Sequence, residues 1–174
     1  LYDYFFVLEP SPEITAEVKK LKQLMNQMIG ISSENLHSKA HLTLFEYQES
    51  ESEEDAMIRK VTRALGNTGC FLVELDGVET FIHGKQSRSV VLKVKEHAPI
   101  ESMKGLLRRE LQLKPEKITP HVTIARNIPV DQFELIRSME VFDFSSQFLC
   151  TKVTVLKRPA NSKEKYTIFH EALL

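Results

Sequence analysis

The chain has 174 residues, which fits one domain that can bury a core without disulfide or metal staples. Its 23 Lys and Arg residues against 24 Asp and Glu residues give a formal net charge of −1, with 27% charged and 42% hydrophobic residues. This composition is typical of globular proteins and argues against a domain that coats nucleic acid by bulk charge, because such domains carry a strong basic excess.

Several common functional motifs are missing from the sequence. None of its six glycines forms GxGxxG or GxxxxGK[ST], which excludes a dinucleotide fingerprint and a Walker-type phosphate loop at the motif level. No run approaches the roughly 18 apolar residues that cross a bilayer, so no membrane partner is expected. Cys70 and Cys150 form no CxxC pair and no closely spaced metal set. We therefore expect free thiols in a reducing compartment, which predicts a cytoplasmic protein.

The first part of the chain predicts strand, helix and strand. Residues 1–10 are rich in β-forming types. Ser11 and Pro12 favour a helix start, since serine can cap a helix and proline suits its first position. Apolar residues follow at spacings of four and three until Gly30, which predicts a helix between these points. Residues 41–47 are short and rich in β-branched and aromatic types, so they predict a second strand.

An acidic segment, residues 49–55, opens the next element. Ser52 with Asp55 three positions later resembles a capping box at the start of a helix that runs through Leu65. The acidic segment is therefore interpreted as the solvated start of a helix rather than as a cation site.

A hairpin follows this helix. Residues 70–82 predict a strand with a bulge or bend at Gly77, and residues 89–95 predict its partner. Pro99 then opens a helix, and residues 121–127 predict another strand. The order of elements in the first half of the chain therefore begins again.

The last part of the chain completes this second set of elements. Asp131 with Glu134 is expected to cap a short helix. A long strand is predicted to end near Leu156, and a final hairpin returns through residues 165–169.

The two halves of the chain resemble each other in register as well as in order. Five residue pairs are separated by 80 positions: His41 and His121, Thr43 and Thr123, Leu44 and Ile124, Cys70 and Cys150, and Val73 and Val153. We therefore predict a single domain, residues 1–174, that arose by internal duplication of units spanning roughly 1–86 and 87–174.

The strongest functional signal is a repeated tetrapeptide, His-Leu-Thr-Leu at 41–44 and His-Val-Thr-Ile at 121–124. Side chains two positions apart on a strand share one face, so each His and Thr project together and the apolar residues project to the other side. Two such strands related by a pseudo-two-fold axis bring two imidazoles and two hydroxyls together.

These groups suit a displacement at phosphorus. An imidazole has an unperturbed pKa of about 6.5, so one of His41 and His121 can act as a base while the other acts as an acid. The hydroxyls of Thr43 and Thr123 can hydrogen-bond the non-bridging phosphate oxygens. The reaction requires no metal ion and no cofactor.

With these motifs the chain resembles the two-histidine phosphoesterase superfamily, specifically its LigT-like members, the RNA 2′,3′-cyclic phosphodiesterases or 2′-5′ RNA ligases. Residues outside the motifs add to the resemblance: Glu9, Pro10, Pro120, Ala125, Arg126 and Tyr166. The resemblance implies a bilobal α+β fold with pseudo-two-fold symmetry. In that fold two antiparallel sheets form a V-shaped cleft, with the helices on the outside.

The same resemblance implies a reaction and a set of roles. The family opens a 2′,3′-cyclic phosphate or cleaves a 2′-5′ linkage, in some members reversibly. By the family pattern His41 protonates the leaving oxygen, His121 activates water, and Thr43 and Thr123 bind the phosphate, although the two histidine roles can be reversed. The implied partners are RNA ends or small nucleotides. A monomer is compatible with the sequence, which does not fix the oligomeric state.

Four further residues are candidates for substrate binding. Strand alternation from His41 puts Phe45 and Tyr47 on the cleft side, where either can stack a nucleobase. Lys39 shares that side if the strand extends so far. Alternation puts Arg126 on the opposite side, so it contacts substrate only where a bulge re-aims it.

Two other functions are open at this point. A binding module could hold RNA ends or nucleotides in the same cleft without turnover, although paired acid and base groups favour catalysis. A zinc hydrolase could use His41 and His121 as ligands, but the sequence offers no HExxH motif and no obvious third ligand.

Overall fold

The structure, a computed structural model, describes all 174 residues. Its eight strands are β1 (Tyr2–Leu8), β2 (Leu42–Glu49), β3 (Phe71–His83), β4 (Ser87–Val94), β5 (His121–Pro129), β6 (Ser145–Cys150), β7 (Lys152–Pro159) and β8 (Thr167–Leu173). Its five α-helices are α1 (Pro12–Ile29), α2 (Ser33–His37), α3 (Glu54–Leu65), α4 (Ala98–Glu110) and α5 (Val130–Phe133). None of the helices has the length and apolar character needed to span a bilayer.

The strands form a single antiparallel sheet in the order β6-β3-β4-β5-β2-β1-β7-β8. At its centre β5 and β2 are joined through one residue pair only, Val122 with Leu42. The sheet therefore has two four-stranded halves, called here the β5 half (β6-β3-β4-β5) and the β2 half (β2-β1-β7-β8). This confirms the expected α+β class. The two antiparallel units meet through their edge strands β5 and β2, at the middle of the whole sheet.

Each half of the sheet contains strands from both the early and the late part of the chain. β3 comes early in the chain but pairs with β4 and β6 in the β5 half. β7 comes late but pairs with β1 and β8 in the β2 half. Each half of the sheet thus combines early and late strands, and the division into units 1–86 and 87–174 stays a prediction.

The first helix forms as its sequence predicts. The Ser11 hydroxyl accepts a hydrogen bond from the Ile14 amide at 3.3 Å, and Pro12 occupies the first helical position. Gly30 ends the helix with φ of 68°, a conformation that favours glycine. The buried stripe of α1 contains one charged residue, Lys22.

The predicted capping box of α3 is wrong. The helix begins at Glu54, after a 3₁₀ turn over Glu51–Glu53. Ser52 lies inside that turn, and its hydroxyl bonds to the Ser50 hydroxyl at 2.9 Å. It therefore cannot reach a free amide of the helix.

Two elements near the carboxyl end differ from their predictions. α5 begins at Val130, directly after Pro129, so Asp131 lies within the first turn instead of at the cap. The single long strand predicted to end near Leu156 is two strands, β6 and β7, separated at Thr151. They are separate because β6 pairs with β3 in one half of the sheet and β7 pairs with β1 in the other.

The predicted bend at Gly77 is a β-bulge in β3. The pairing with β4 shifts between Leu75 and Val78, and Gly77 has φ of 82°. A Cβ at this position would lie 2.6 Å from Oδ1 of Asp143, which accepts a hydrogen bond from the Val78 amide at 2.9 Å. Glycine is required here for both backbone conformation and space.

Each strand that carries a His-x-Thr motif has a bulge directly after the motif. In β2, Thr43 and Phe45 face consecutive residues of β1, so Leu44 is the extra residue. In β5, Thr123 and Ala125 face consecutive residues of β4, so Ile124 is extra. Side-chain alternation therefore slips by one residue after each threonine.

The hydrophobic core lies on one face of both sheet halves. A continuous cluster joins the buried side of α1, including Met25, and of α4, including Leu107, to Leu42 and Val122 in the motif strands. The helices therefore cover the apolar side of the motifs. The opposite side, called here the open face, carries the polar residues of the motifs.

Candidate active site

The two motifs meet where the two halves of the sheet join. Because Leu42 pairs with Val122 in antiparallel register, the neighbouring positions set His41 opposite Thr123 and Thr43 opposite His121. Leu42 and Val122 are fully buried, whereas the four polar residues are half-buried on the open face. Cβ atoms directly opposite lie about 4.5–5.5 Å apart and diagonal ones about 7–8 Å. The imidazoles are thus diagonal to each other, each with a threonine opposite.

Both imidazoles are held by the same local hydrogen bond. His41 Nδ1 donates to the Lys39 carbonyl at 2.8 Å, and His121 Nδ1 donates to the Thr119 carbonyl at 2.7 Å. A carbonyl oxygen can only accept, so Nδ1 carries the proton of each neutral ring. Nε2 makes no hydrogen bond within the protein and is free to exchange a proton with a ligand.

An aromatic ring packs edge-on against each imidazole. Phe5 of β1 lies 5.3 Å from His41 and Phe81 of β3 lies 4.9 Å from His121, measured between ring centroids, at interplanar angles of 83° and 78°. These contacts and the main-chain hydrogen bonds fix the orientation of both rings before any ligand binds.

The surroundings lower the pKa of both imidazoles below the usual value. Burial is the main cause at His41, and the positive charges of Lys22 and Arg126 act in the same direction. Burial is also the main cause at His121, but there the Glu79 carboxylate opposes it by favouring the charged ring. The two histidines therefore share a geometry, but among charged groups only positive ones act on the pKa of His41, whereas a carboxylate, Glu79, acts on that of His121 against His83.

Lys39 is tied to a carboxylate on the open face. Its ammonium pairs with Glu9, whose other carboxylate oxygen accepts a hydrogen bond from Thr154 Oγ1 at 3.1 Å. These contacts lower the pKa of Glu9, against the effect of its burial. Lys39 thus contributes to the site through its carbonyl, which holds His41, and its side chain anchors the segment that enters β2.

The predicted orientation of Phe45 and Tyr47 toward the cleft is wrong. The bulge at Leu44 turns Phe45 into the core, where it is 1% exposed and stacks on Phe6 with centroids 4.6 Å apart. Tyr47 follows on the same side and packs near Tyr4 at 6.0 Å. Neither side chain therefore lies on the side of the two histidines.

The corresponding bulge in β5 has the opposite effect on Arg126. Simple alternation puts Arg126 on the core side, but the extra residue Ile124 turns its side chain out to the open face, where it is 62% exposed. It pairs there with Glu34 and lies close enough to His41 to lower the pKa of that ring. Both main-chain groups of Arg126 bond to the Asn35 side-chain amide at 2.9 Å.

Aromatic residues that sequence reasoning missed lie beside His41. Phe5 contacts the His41 ring, and Tyr166 packs 5.4 Å from Phe5. Arg158 lies 4.4 Å over the Tyr166 ring, and the Tyr166 hydroxyl donates to Glu46. In strand β1, Asp3 lies two positions before Phe5, so alternation sets Phe5 on the side of a charged residue, a signal that the sequence interpretation did not use.

A cavity of about 390 Å³ opens next to Arg126. Its wall is mainly polar and comes from the α2 region and the end of β5, including Ser32, Glu34, Asn35, Asn127 and Gln132. This volume lies within the range of small-molecule sites.

His41 and His121 do not belong to a group of side chains that could hold a metal ion. No group of three or more His, Cys, Asp or Glu side chains is arranged to hold a metal ion. The two cysteines are also unpaired, with Cys70 exposed and Cys150 buried. A zinc site built on the two histidines therefore has no third protein ligand among these residue types.

Comparison with known proteins identifies the family. The family model of the 2′-5′ RNA ligase superfamily matches residues 5–162. No curated protein sequence matches significantly.

Among solved structures, apo LigT of E. coli is 17% identical, with a TM-score of 0.72 over 98% of this chain and 96% of that one. A Thermus thermophilus protein is 15% identical, with a TM-score of 0.69 over 99% and 97%. Usb1 of Kluyveromyces marxianus is 9% identical, with a TM-score of 0.56 over 99% and 98%. These structures share the fold along the full length, and the family match covers most of the sequence. The resemblance carried by the two motifs is confirmed: the chain belongs to the 2′-5′ RNA ligase superfamily.

Proposed function

We propose that the protein is a metal-independent phosphodiesterase that acts on 2′,3′-cyclic phosphates or 2′-5′-linked RNA or nucleotides. The observation that carries this proposal is the matched pair of imidazoles, His41 and His121, each anchored through Nδ1 with Nε2 free. E. coli LigT, which shares the fold, has been solved with 3′-AMP, with ATP and with phosphate. Of these ligands, 3′-AMP is a nucleoside monophosphate of the kind that the proposed hydrolysis of a cyclic phosphate releases.

The proposed hydrolysis needs one base and one acid. The neutral imidazole takes a proton from water through Nε2 as the water oxygen bonds to phosphorus. The bond from phosphorus to one ribose oxygen breaks, and the other imidazole, protonated, gives that oxygen its proton. The product is a 2′- or 3′-phosphate. A 5′-hydroxyl in place of water, with loss of the 3′-oxygen, gives a 2′-5′ linkage by the same proton transfers.

The remaining polar groups stabilise charge on the phosphate. Thr43 and Thr123 lie diagonally across the same join, so their hydroxyls can donate to the two non-bridging oxygens. Arg126 lies close enough to His41 to add a positive charge on that side. Together these donors supply the stabilisation that a metal ion supplies in other phosphodiesterases.

Two features provide room for the nucleoside. Phe5 and Tyr166 form an aromatic surface beside His41, and a stacked base contributes about 1–3 kcal/mol in such sites. The cavity beyond Arg126, with polar groups of Asn127 and Gln132 on its wall, can take a second nucleotide. We assign substrate binding to these residues in place of Phe45 and Tyr47.

The charges around the two rings favour one assignment of acid and base. Lys22 and Arg126 disfavour a proton on His41, and Glu79 favours a proton on His121. We therefore infer that His41 is the base and His121 the acid, the reverse of the assignment implied by the family pattern.

The lowered pKa values of both imidazoles predict an acidic pH optimum, whichever of the two is the base. The profile of kcat/KM is bell-shaped, because the base must be neutral and the acid protonated in the free enzyme. The pKa of each imidazole is lowered from its usual value of about 6.5, so we expect the maximum below pH 6.5 and a decline above it. Steady-state rates on adenosine 2′,3′-cyclic phosphate between pH 4.5 and about 8.5 measure this profile.

Two outcomes would count against these statements, the first against the pH optimum and the second against the assignment of base and acid. The first is a maximum above pH 7, which requires at least one pKa to be raised. The second is an NMR titration in which His41, assigned through the His41→Gln variant, keeps its proton to higher pH than His121.

A substrate panel tests the proposed function itself. Adenosine 2′,3′-cyclic phosphate, a 2′-5′-linked dinucleotide and its 3′-5′-linked isomer are incubated with the protein in excess EDTA. We expect hydrolysis of the first or the second, with a single phosphate isomer as product, and no hydrolysis of the third. Measurable affinity without any product indicates the non-catalytic binding module instead. Hydrolysis that EDTA abolishes overturns the metal-independent mechanism.

A further inference from the structure

The core-facing stripe of α1 contains a lysine that has no carboxylate partner. Lys22 is 2% exposed and lies between the buried residues Val18 and Met25. No Asp or Glu forms an ion pair with it, and a buried ammonium is costly unless its donors are satisfied. A methionine or leucine would fill this place at lower cost, so the position requires an explanation beyond packing.

Its three donors are all used, and they connect separate parts of the chain. Lys22 Nζ donates to the Asn35 carbonyl, to Ser38 Oγ and to the Ile124 carbonyl, each at 3.0 Å. Asn35 and Ser38 belong to α2 and its end, immediately before His41. Ile124 is the bulge residue of β5. One ammonium therefore ties α1 to the entrance of β2 and to the bulge in the other half of the sheet.

The same groups determine where Arg126 lies. The Asn35 side chain donates to the Arg126 carbonyl and accepts from the Arg126 amide, both at 2.9 Å. Lys22 thus holds the Asn35 main chain on one side and the Ile124 carbonyl on the other. The bulge that turns Arg126 to the open face is fixed at both ends.

A second buried lysine in the other half of the chain provides a comparison. Lys104 of α4 is 4% exposed, but it pairs with Glu101 at 2.8 Å and reaches the Ile118 carbonyl at 3.5 Å. Its hydrogen bonds stay within residues 101–118, and none reaches the bulge of either motif strand. Lys104 is therefore a matched control for Lys22, because it has the same residue type and burial without the bridging contacts.

We propose that Lys22 is a positioning residue that acts through Asn35 and Ile124 to set Arg126 beside His41. The contribution of Lys22 to catalysis rests on the proposed phosphodiesterase function. Its effect on the position of Arg126 and on the pKa of His41 does not. The charged and titratable groups around His41 are Lys22 from α1, Arg126 and His121 from β5, and the paired Glu9 and Lys39.

An NMR titration of the histidine side chains tests the proposal without turnover. Lys22→Met removes one positive charge near His41 and releases the Arg126 segment, so we expect the pKa of His41 to rise and that of His121 to stay unchanged. Lys104→Met leaves the pKa of His41 unchanged. The proposal is overturned if Lys22→Met leaves the His41 titration at its wild-type position or if Lys104→Met shifts it equally. It is also overturned if Lys22→Met shifts the His41 titration equally far in the Arg126→Ala background, because the Lys22 charge then acts alone.

A double-mutant cycle with Arg126→Ala tests the route of the effect. Lys22→Met is expected to lower kcat/KM by about tenfold to hundredfold, the loss typical of a displaced catalytic group. In the Arg126→Ala background the same change is expected to cost less than about twofold, because the two act as one unit. If the losses in kcat/KM from Lys22→Met and Arg126→Ala are additive, Lys22 does not act through Arg126.

A second variant covers the case in which Lys22→Met does not fold. Asn35→Ala removes both bonds to the Arg126 main chain from a half-exposed position, and we expect the same loss and the same lack of additivity with Arg126→Ala. If the wild-type protein turns over no substrate, the proposed function is refuted. The NMR titration of His41 then remains as the test of Lys22, because it needs no turnover.

Discussion

Replacing either imidazole is expected to abolish most turnover and to leave the fold intact. His41→Ala removes the base and His121→Ala removes the acid, and each proton transfer contributes about 10²- to 10⁴-fold in rate. Both rings are half-buried outside the core, so we expect the free energy of unfolding to fall by less than about 1 kcal/mol. Initial rates on a 2′,3′-cyclic nucleotide and thermal unfolding of the same preparations measure the two effects.

A third histidine provides the control for this pair. His97 also bonds a main-chain carbonyl through its ring, from Nε2 to Val94 at 2.9 Å, but it lies at the start of α4. His97→Ala is expected to keep the wild-type rate. A loss of activity in all three variants, or in none, contradicts the assignment of His41 and His121 to catalysis.

Replacing Phe45 by alanine is expected to cause a large loss in the free energy of unfolding. Its ring is 1% exposed, stacks on Phe6 and lies 5.4 Å below the Arg108 guanidinium. Phe45→Ala leaves a cavity in the core, and such replacements cost about 3–5 kcal/mol. Urea unfolding of the variant measures this loss as a lower midpoint.

Phe5→Ala is the matched comparison on the same pair of strands. Phe5 is half-buried beside His41, so we expect a smaller loss of stability and a rise in KM of about tenfold, within the range of one lost base stack. If Phe45→Ala raises KM without lowering stability, the bulge at Leu44 does not turn Phe45 into the core.

Local patterns of this sequence predict most of its elements. The cap at Ser11, the apolar spacing of α1 and the end at Gly30 are all carried by neighbouring residues. The same holds for the bulge at Gly77, because glycine adopts its positive φ more readily than any other residue type. The His-x-Thr motifs are also local, because alternation over three residues is enough to put His and Thr on one face.

Features that depend on partner strands escaped prediction. Whether alternation continues past Thr43 depends on the register with β1, and one extra residue reverses the side of every residue that follows. This reversal removed Phe45 and Tyr47 from the site and brought Arg126 to the open face. The exchange of β3 and β7 between sheet halves is likewise a long-range pairing without a local signal.

The role of Lys22 is also not predictable from local sequence. A lysine within an apolar helical stripe gives no indication of its acceptors, which lie 13 to 102 residues further along the chain. Only the fold brings the Asn35 and Ile124 carbonyls to its ammonium. The residues that carry the proposed chemistry are therefore visible in the sequence, and the residues that position them are not.

The most direct test of the paired-histidine mechanism is the hydrolysis of adenosine 2′,3′-cyclic phosphate in EDTA by the wild-type chain and by the His41→Ala, His121→Ala double variant. The mechanism predicts that the wild type forms a single AMP isomer and that the folded double variant forms no product above the uncatalysed rate. Product formation by the double variant at the wild-type rate would contradict it.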